Sequence, residues 1–240
     1  LDAMHIHYRL PDVTGLVEEN VFIDSAVLSV TPPLKEMVFH YTTDGTLPNK
    51  NSAVLNKPLT ITGDATIRLA GFTQSARGDI YTLHYAKQSY QKPVAISNAG
   101  KGLQCDYYKG FFKTTGAMQN VKPDSTFTTD SIAVAPTIHA PSFGLQYKGY
   151  INVPQTGIYS FYLTCDDGGV LSIADKVVVN NDGLHSAIEK SGQIALEKGA
   201  HPFNLSFIEG GGGYKLELLW STKENPIHRP VPKNWLVHLQ

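Results

Sequence analysis

The chain has 240 residues, a formal net charge of −1 and a charged fraction of 17%. This length allows two domains that each bury a core, and the absence of a lysine and arginine cluster excludes the electrostatic footprint of a nucleic-acid or anionic-membrane binder. No apolar run approaches the length that crosses a bilayer, so we expect no membrane insertion. The 21 glycines, the 14 prolines and the many β-branched and aromatic residues favour strands and turns over long helices.

Residues 1–20 form a leader that begins with an apolar stretch and ends with a Pro-Asp pair and a glycine. This composition predicts a frayed helix end that enters a linker, with little core of its own. His5 and His7 have the spacing of ligands on a strand, but their position in such a leader argues against a metal site. Because the sequence begins with neither an initiator methionine nor a signal peptide, we expect a fragment or a processed chain.

Short alternating segments separated by turns follow in residues 21–90. The turns carry Asp-Gly, Pro-Asn, Gly-Asp and Arg-Gly-Asp, and the segments between them include MVFHYTT, ATIRLAGFT and IYTLHY. Strands at this spacing predict a small antiparallel sandwich. Residues 91–101 contain Pro93 and Gly100 and are predicted to be a linker between two domains.

A second set of strands occupies residues 102–240 and predicts a larger sandwich. The clearest segments are GIYSFYLT, GVLSIA, KVVVN, GQIALE, HPFNLSF and KLELLW, which alternate apolar and polar side chains. Cys105 and Cys165 fall on strands that we assign to one sheet system. A disulfide between them is one interpretation, but two small buried thiols are favoured.

Two adjacent carboxylates, Asp166 and Asp167, stand where the alternating strand of residues 159–165 ends. Consecutive side chains of an extended strand point to opposite faces, so both carboxylates can serve one ligand only if the backbone bends. Gly168 and Gly169 supply that freedom. Carboxylate oxygens suit a hard cation, and we predict Asp166 and Asp167 as metal ligands, with calcium as the candidate ion.

A second acidic turn, rich in amides, follows one strand later at residues 180–182. Together with the aspartate pair, Asn181, Asp182 and His185 are the candidate ligand-binding residues. A plainer interpretation competes with this one, because Asp-Gly and Asn-Asp-Gly are ordinary hairpin turns.

Catalytic patterns are missing from the sequence. The two aspartates are too close and too turn-like to act separately as acid and base, and there is no GxSxG, HExxH, paired CxxC or GxxxxGK[ST] motif. We therefore predict no catalytic residue.

The glycine-rich residues 209–214 are predicted to be a flexible hairpin tip. Four clustered aromatic residues could stack on a sugar, although core positions are favoured for them. They are Tyr107, Tyr108, Phe111 and Phe112.

The leader LDAMHIHYRLP resembles the Leu-Asp-Ala-Met-Gly-Val-Asn-Tyr-Arg-Ile-Pro stretch that closes the catalytic barrel of family-twenty β-N-acetylhexosaminidases. It departs from that stretch at His5 and His7, which replace the usual glycine and asparagine. The resemblance implies that a catalytic barrel lies upstream in the same polypeptide. The family's adjacent Asp-Glu pair occurs nowhere in the 240 residues, so this chain is expected to be catalytically silent.

The segment HYTTDGTLPNKNSAVLNKPLTIT, with ATIRLAGFT, is similar to the chitobiase/hexosaminidase C-terminal domain, an immunoglobulin-like sandwich. Its Tyr-Thr-Thr-Asp-Gly-Thr-x-Pro signature runs from Tyr41 to Pro48. The resemblance implies a mostly structural role for residues 21–90.

Residues 102–238 resemble the protective-antigen-type β-sandwich, the PA-fourteen domain. Asp-Asp-Gly, Asn-Asp-Gly-Leu-His and Glu-Lys-Ser-Gly follow one another at the spacing of that family. In its sugar-binding adhesin branch, a cis-linked aspartate pair chelates calcium together with an asparagine on a neighbouring loop, and the calcium holds sugar hydroxyls. The pair corresponds to Asp166 and Asp167 here. The glycine-rich loop after Phe207 offers no partner asparagine.

These resemblances predict an all-β chain with two β-sandwich domains, a small immunoglobulin-like one and a larger protective-antigen-type antiparallel one. The expected function is that of a non-catalytic accessory region of an exported β-N-acetylhexosaminidase-type enzyme, located outside the cytoplasm. It would bind or position an N-acetylhexosamine-containing glycan with the help of calcium. The alternative is a structural brace or an oligomer contact without a ligand, and an independent hydrolase is the weakest hypothesis.

Overall fold

The computed structural model describes residues 9–240, which divide into two compact units after Ser89. His5, His7 and most of the hexosaminidase-like leader lie outside the described residues. Apart from two short 3-10 turns, Thr115–Met118 and Lys233–Trp235, all regular structure in residues 9–240 is strand, and the prediction of an all-β fold is confirmed. No helix in this part of the chain has the length and apolar character needed to span a membrane.

The first unit contains seven strands in two sheets. The strands are β1 (Glu19–Phe22), β2 (Ala26–Leu28), β3 (Val38–Thr42), β4 (Ala53–Val54), β5 (Leu59–Ile61), β6 (Ala65–Phe72) and β7 (Arg77–Lys87). One sheet has the order β1-β7-β6-β3-β4, in which only β1 and β7 are parallel, and the other pairs β2 with β5. Phe22, Leu28, Ile61 and Ile67 come from both sheets and pack in one buried cluster.

The end of the predicted leader belongs to this unit. Leu10 is buried against Met37, Phe39 and Leu69, and the backbone N–H of Val13 donates to the Tyr81 hydroxyl at 2.9 Å. The apolar start of the leader, on which the predicted helix end rests, lies outside the described residues, and residues 9–18 form no regular secondary structure. Leu10 thus adds to the core of the first unit.

The second unit contains twelve strands, all antiparallel. They are β8 (Ala99–Lys101), β9 (Leu103–Lys109), β10 (Ser125–Thr129), β11 (Phe143–Val153), β12 (Gly157–Asp166), β13 (Gly169–Ile173), β14 (Lys176–Asn181), β15 (Ile188–Leu196), β16 (Gly199–Glu209), β17 (Lys215–Thr222), β18 (Arg229–Pro230) and β19 (Leu236–Leu239). An eight-stranded sheet runs β10-β9-β11-β16-β13-β14, with β19 joining β11 to β8, and a four-stranded sheet runs β15-β12-β17-β18.

The core lies between these two sheets because each long strand turns every second side chain inward. Tyr147 and Phe207 of the large sheet and Phe161 and Leu163 of the small sheet are fully buried in one cluster. Burying such side chains stabilises a fold by about 1.5–3 kcal/mol each relative to exposure.

The two cysteines lie on different sheets, Cys105 on β9 and Cys165 on β12, so their assignment to one sheet system is wrong. Both are buried, unpaired thiols, as favoured from the sequence. Burial raises the pKa of Cys165 to about 12, which keeps this thiol protonated and unreactive.

The predicted linker, residues 91–101, belongs to the second unit. β8 pairs with β19, and the backbone N–H groups of Gln91 and Val94 donate to Ala195 and Ala200. Proline and glycine in this segment thus mark an edge of the sandwich and not a free connection.

Candidate functional site

The site is built where four strands of the second unit begin or end. β12 ends at Asp166, β13 begins at Gly169, β16 ends at Glu209 and β17 begins at Lys215. Residues 166–168 carry the chain from the small sheet to the large one, where Gly169 pairs with Phe207. This register places Asp167 beside the end of β16.

Asp166, Asp167 and Glu209 converge at this point, with one carboxylate oxygen of each within 4.8 Å of the others. The peptide bond between the two aspartates is cis, as the resemblance implied. The sequence pattern does not single out Glu209, because this residue directly precedes the glycine-rich residues 210–213. A signal was nevertheless present, since Glu209 continues the inward parity of Phe203 and Phe207 and is only 2% exposed.

The three carboxylates differ in how fully their oxygens are used. Asp167 accepts a hydrogen bond at each oxygen, from the His185 N–H at 3.0 Å and from the Gly210 N–H at 2.6 Å. Glu209 accepts the Gly211 N–H at Oε1 (2.7 Å), while its buried Oε2 has no partner. Among residues 9–240, no group donates a hydrogen bond to the side chain of Asp166. Free acceptor capacity therefore remains on Asp166 and Glu209.

Nothing in the described chain neutralises these charges, because no lysine, arginine or histidine of residues 9–240 forms an ion pair with the three carboxylates. Lys215, which pairs with Asp166 in the strand ladder, turns its ammonium to Glu217 at 3.3 Å. Burial raises the pKa of Glu209; the Gly211 N–H opposes this rise, and the charges of Asp167 and Asp166 add to it. Like charges so close in a half-buried place repel one another, which a bound cation would reverse.

The second acidic turn lies next to the first, but its side chains have structural partners. Asn181 is fully buried, and its Nδ2 donates to Leu163 O at 3.3 Å, to Ile188 O at 3.1 Å and to Cys165 Sγ at 3.1 Å. The Asn181 Oδ1 is buried without a partner. His185 touches the aspartate pair through its backbone N–H, while its ring Nε2 lies 3.1 Å from Asn181 O.

Asp182 uses both carboxylate oxygens to hold the neighbouring segment. Oδ1 accepts the N–H groups of Thr115 (2.8 Å) and Gly183 (3.0 Å), and Oδ2 accepts the Thr115 hydroxyl at 3.1 Å. The structure therefore brings all five predicted ligand-binding residues together, with free carboxylate oxygens only in the first turn.

Two glycines allow the close packing of the site. A Cβ on Gly168 would lie 2.6 Å from Gly183 O and 2.7 Å from Gly183 N, so the two turns touch through their backbones. A Cβ on Gly210 would lie 2.8 Å from Asp167 Oδ2. The residues after Gly210 cross from the large to the small sheet, so the predicted hairpin tip is wrong.

The aromatic residues that could form a sugar platform separate into two groups. Tyr108 and Phe112 are buried together on the outer side of the large sheet, and Tyr107 packs against the main core. Phe111 alone among the four is largely exposed, at 54%. A core role is thus confirmed for three of them.

Two family models match this chain. The PA14 domain model matches residues 98–233, which is more than half of the chain. The chain belongs to the PA14 domain family. The chitobiase/beta-hexosaminidase C-terminal domain model matches residues 23–82, within the first unit.

Solved structures agree with this assignment. The chain is similar to the PA14 domain of the MpAFP antifreeze protein, with a TM-score of 0.52 and 19% identity over 62% of this chain and 96% of that domain. For the PA14 sugar-binding domain from an RTX adhesin, the TM-score is 0.50 and the identity 16%, over 57% and 98% of the two chains.

A third similar structure is the A domain of an epithelial adhesin from Candida glabrata, subtype-switched from adhesin 9 to adhesin 1, in complex with beta-lactose. Its TM-score is 0.50, with 14% identity over 63% of this chain and 96% of the adhesin domain. At such identities the likeness concerns the fold. Comparison with curated proteins gives no match.

Proposed function

We propose that the PA14 domain of this chain binds carbohydrate through a calcium ion held by Asp166, Asp167 and Glu209. The observation that carries the proposal is the convergence of three carboxylates, one of them buried with an unpartnered oxygen, without a cationic side chain among the described residues to balance them. Burial of uncompensated negative charge is unfavourable, and a bound cation removes the penalty.

The donor set fits calcium. This ion takes six to eight oxygen ligands, accepts carboxylates readily and tolerates irregular geometry. Three carboxylates leave coordination positions for water and for sugar hydroxyls. Asp167 is oriented by two backbone N–H groups and Glu209 by the Gly211 N–H. The second lone pairs of the Asp167 oxygens, the Glu209 Oε2 atom and the Asp166 carboxylate then remain available to an ion. When bound, calcium would supply a point of attachment for hydroxyl groups.

The comparisons support a carbohydrate ligand. Two of the similar structures are described as a sugar-binding domain of an RTX adhesin and as an adhesin domain in complex with beta-lactose. The match of the first unit to the chitobiase/beta-hexosaminidase C-terminal domain favours an N-acetylhexosamine-containing glycan and an exported glycoside hydrolase as the parent protein. In that setting the chain is a non-catalytic accessory region located outside the cytoplasm.

Isothermal titration tests the binding. Calcium is titrated first into chelator-treated protein, and N-acetylglucosamine, N-acetylgalactosamine and chito-oligosaccharides are then titrated with calcium and with chelator. We expect binding of calcium, and glycan binding only in its presence, with millimolar affinity equivalent to about 4 kcal/mol. No heat from any glycan under either condition would refute carbohydrate binding.

The matched variants are Asp166→Asn and Asp130→Asn. Asp130 is an exposed carboxylate that pairs with Lys233 at 3.0 Å. Asp166→Asn is expected to abolish the calcium heat, and Asp130→Asn to leave it unchanged. Equal calcium affinity in the Asp166 variant and the unchanged protein would show that the ion, if it binds, lies elsewhere.

The parent enzyme requires a separate test. A longer polypeptide that includes the upstream region is expected to release nitrophenol from nitrophenyl N-acetylglucosaminide, whereas residues 1–240 alone release none. Hydrolysis by residues 1–240 would contradict the accessory role.

A structural role is the second candidate, and it is favoured by the second turn. Asp182 holds Thr115, and Asn181 joins backbone groups of β12 and β15, without any ligand. Under this hypothesis the unit braces a neighbouring domain or subunit. Asp166→Ala would then lower stability while no ligand signal changes, which a thermal melt with and without calcium can detect.

A further inference from the structure

An exposed apolar pair lies beside the carboxylates of the candidate site. Phe111 is 54% exposed and Leu184 48% exposed, while the adjacent Phe112 is buried. Phe111 follows β9 and Leu184 belongs to the second acidic turn, so the chain brings them together from distant segments. Single exposed apolar side chains are ordinary, but two that lie together beside polar groups can mark a ligand-binding surface.

Gly210 locates the pair relative to the carboxylates. A Cβ on this glycine would lie 2.8 Å from Asp167 Oδ2, 3.1 Å from Leu184 Cδ2 and 3.2 Å from Phe111 Cε2. The ring edge, the methyl group and the carboxylate therefore surround one point. Because residue 210 is a glycine, no side chain separates the apolar pair from the acidic group.

This juxtaposition matches the two-sided chemistry of a pyranose. A sugar ring carries hydroxyl groups at its rim and presents C–H groups on its faces, which pack on aromatic and aliphatic side chains. An acyclic polyol with the same hydroxyls has no such face. Carboxylates with a cation would hold the hydroxyls, and the apolar pair would cover the C–H face.

We propose that Phe111 and Leu184 form the apolar wall of the sugar site and select pyranose rings over acyclic polyols. The proposal rests on the carbohydrate binding proposed above and assigns the ligand's ring face to these two residues. It separates two tasks within one site, since the carboxylates hold the cation and the wall contributes to sugar affinity alone.

The test measures calcium and sugar affinities separately by titration. The sugar probes are the methyl glycosides of N-acetylglucosamine and N-acetylgalactosamine, and the acyclic probe is N-acetylglucosaminitol. For Phe111→Ala we expect unchanged calcium affinity and a loss of about tenfold in glycoside affinity, equivalent to about 1.4 kcal/mol. We expect a smaller loss of glycoside affinity for Leu184→Ala. Phe111→Tyr should bind glycosides about as well as the unchanged protein.

Val177→Ala provides the matched control. Val177 is 63% exposed and lies near the start of β14, whereas Asn181 ends that strand. This control should change no affinity. Equal glycoside affinity in Phe111→Ala and in the unchanged protein would refute the proposed apolar wall, but not carbohydrate binding itself. A loss of self-association in sedimentation without loss of glycoside affinity would instead make Phe111 a contact between copies. No glycoside binding by the unchanged protein would refute both proposals.

Discussion

The turn at Asp166 and Asp167 and the turn at Asn181 and Asp182 share acidic residues, a following glycine and a position at the end of a strand. They differ in what their side chains already hold. In the second turn both carboxylate oxygens of Asp182 and the Nδ2 group of Asn181 have protein partners, which include Thr115 and two backbone carbonyls. The first turn keeps the free carboxylate of Asp166 and lies beside a third, buried carboxylate, that of Glu209.

Residue type alone therefore does not distinguish the two turns, whereas free carboxylate oxygens do, and the proposed ligand site lies at the turn that has them. The difference between the turns also gives the second turn a task. The second turn supports the first one, because the His185 N–H donates to Asp167 and the backbone of Gly183 packs against Gly168. Variants in the two turns should accordingly separate stability from ligand binding.

The largest effect is expected from Asn181→Leu. This change keeps a similar volume but leaves Leu163 O and Ile188 O without their buried donor, which should cost about 3 kcal/mol of unfolding free energy. Urea denaturation measures the loss, and Asn152→Leu at an exposed position of β11 is the control. A loss below about 0.5 kcal/mol would mean that the hydrogen bonds of the Asn181 side chain do not stabilise the fold.

Calcium should produce the next largest effect, and only through the first turn. A ligand present at 100 times its dissociation constant stabilises the folded state by about 2.7 kcal/mol. Thermal melts with calcium and with chelator should show this stabilisation in the unchanged protein and in Asp182→Asn, but not in Asp166→Asn. Loss of the calcium response in Asp182→Asn alone would reverse the assignment of the two turns.

Gly168→Ala tests the contact between the turns. A Cβ at this position meets the Gly183 backbone at 2.6 Å, so the turns must separate, at a cost of about 2 kcal/mol and with weaker calcium binding. Gly116→Ala is the control, because a Cβ there meets no atom within 4 Å. Equal stability of both variants in urea would contradict the close packing.

Asp182→Asn should have a smaller effect on stability in the absence of calcium. The amide can keep part of the hydrogen bonding to Thr115, so we expect a loss of about 1 kcal/mol. Thr115→Val should give a similar loss, and the double variant should lose little more than either single one. Fully additive losses would show that the two side chains act independently.

The smallest effect, and the one opposite in sign, is expected from Glu209→Gln in chelator. Neutralising one of three close carboxylates relieves their repulsion and should raise the unfolding free energy by about 0.5 kcal/mol. The same variant should bind calcium more weakly. Destabilisation in chelator would indicate that Glu209 is held by contacts other than those described.

Much of the fold followed from local pattern. Alternation along residues 159–165 predicted strand β12 and the position of Asp166 at its end, and both agree with the structure. The sequence pattern did not reveal that Leu10 packs against Met37, Phe39 and Leu69, because these contacts join residues far apart in the chain. Prolines and glycines in residues 91–101 indicated a break in regular structure but not that this segment would pair with the second unit.

The sequence by itself determined the all-β class and the aspartate pair, because a period of two and a turn motif are properties of neighbouring residues. Only the tertiary structure decided which groups meet the pair. Glu209 joins Asp167 through the pairing of β13 with β16, and Phe111 arrives from β9. Strand pairing joins residues far apart in the chain, and its register depends on packing across the whole core. For the same reason, only the structure revealed that Asn181 and Asp182 already have partners.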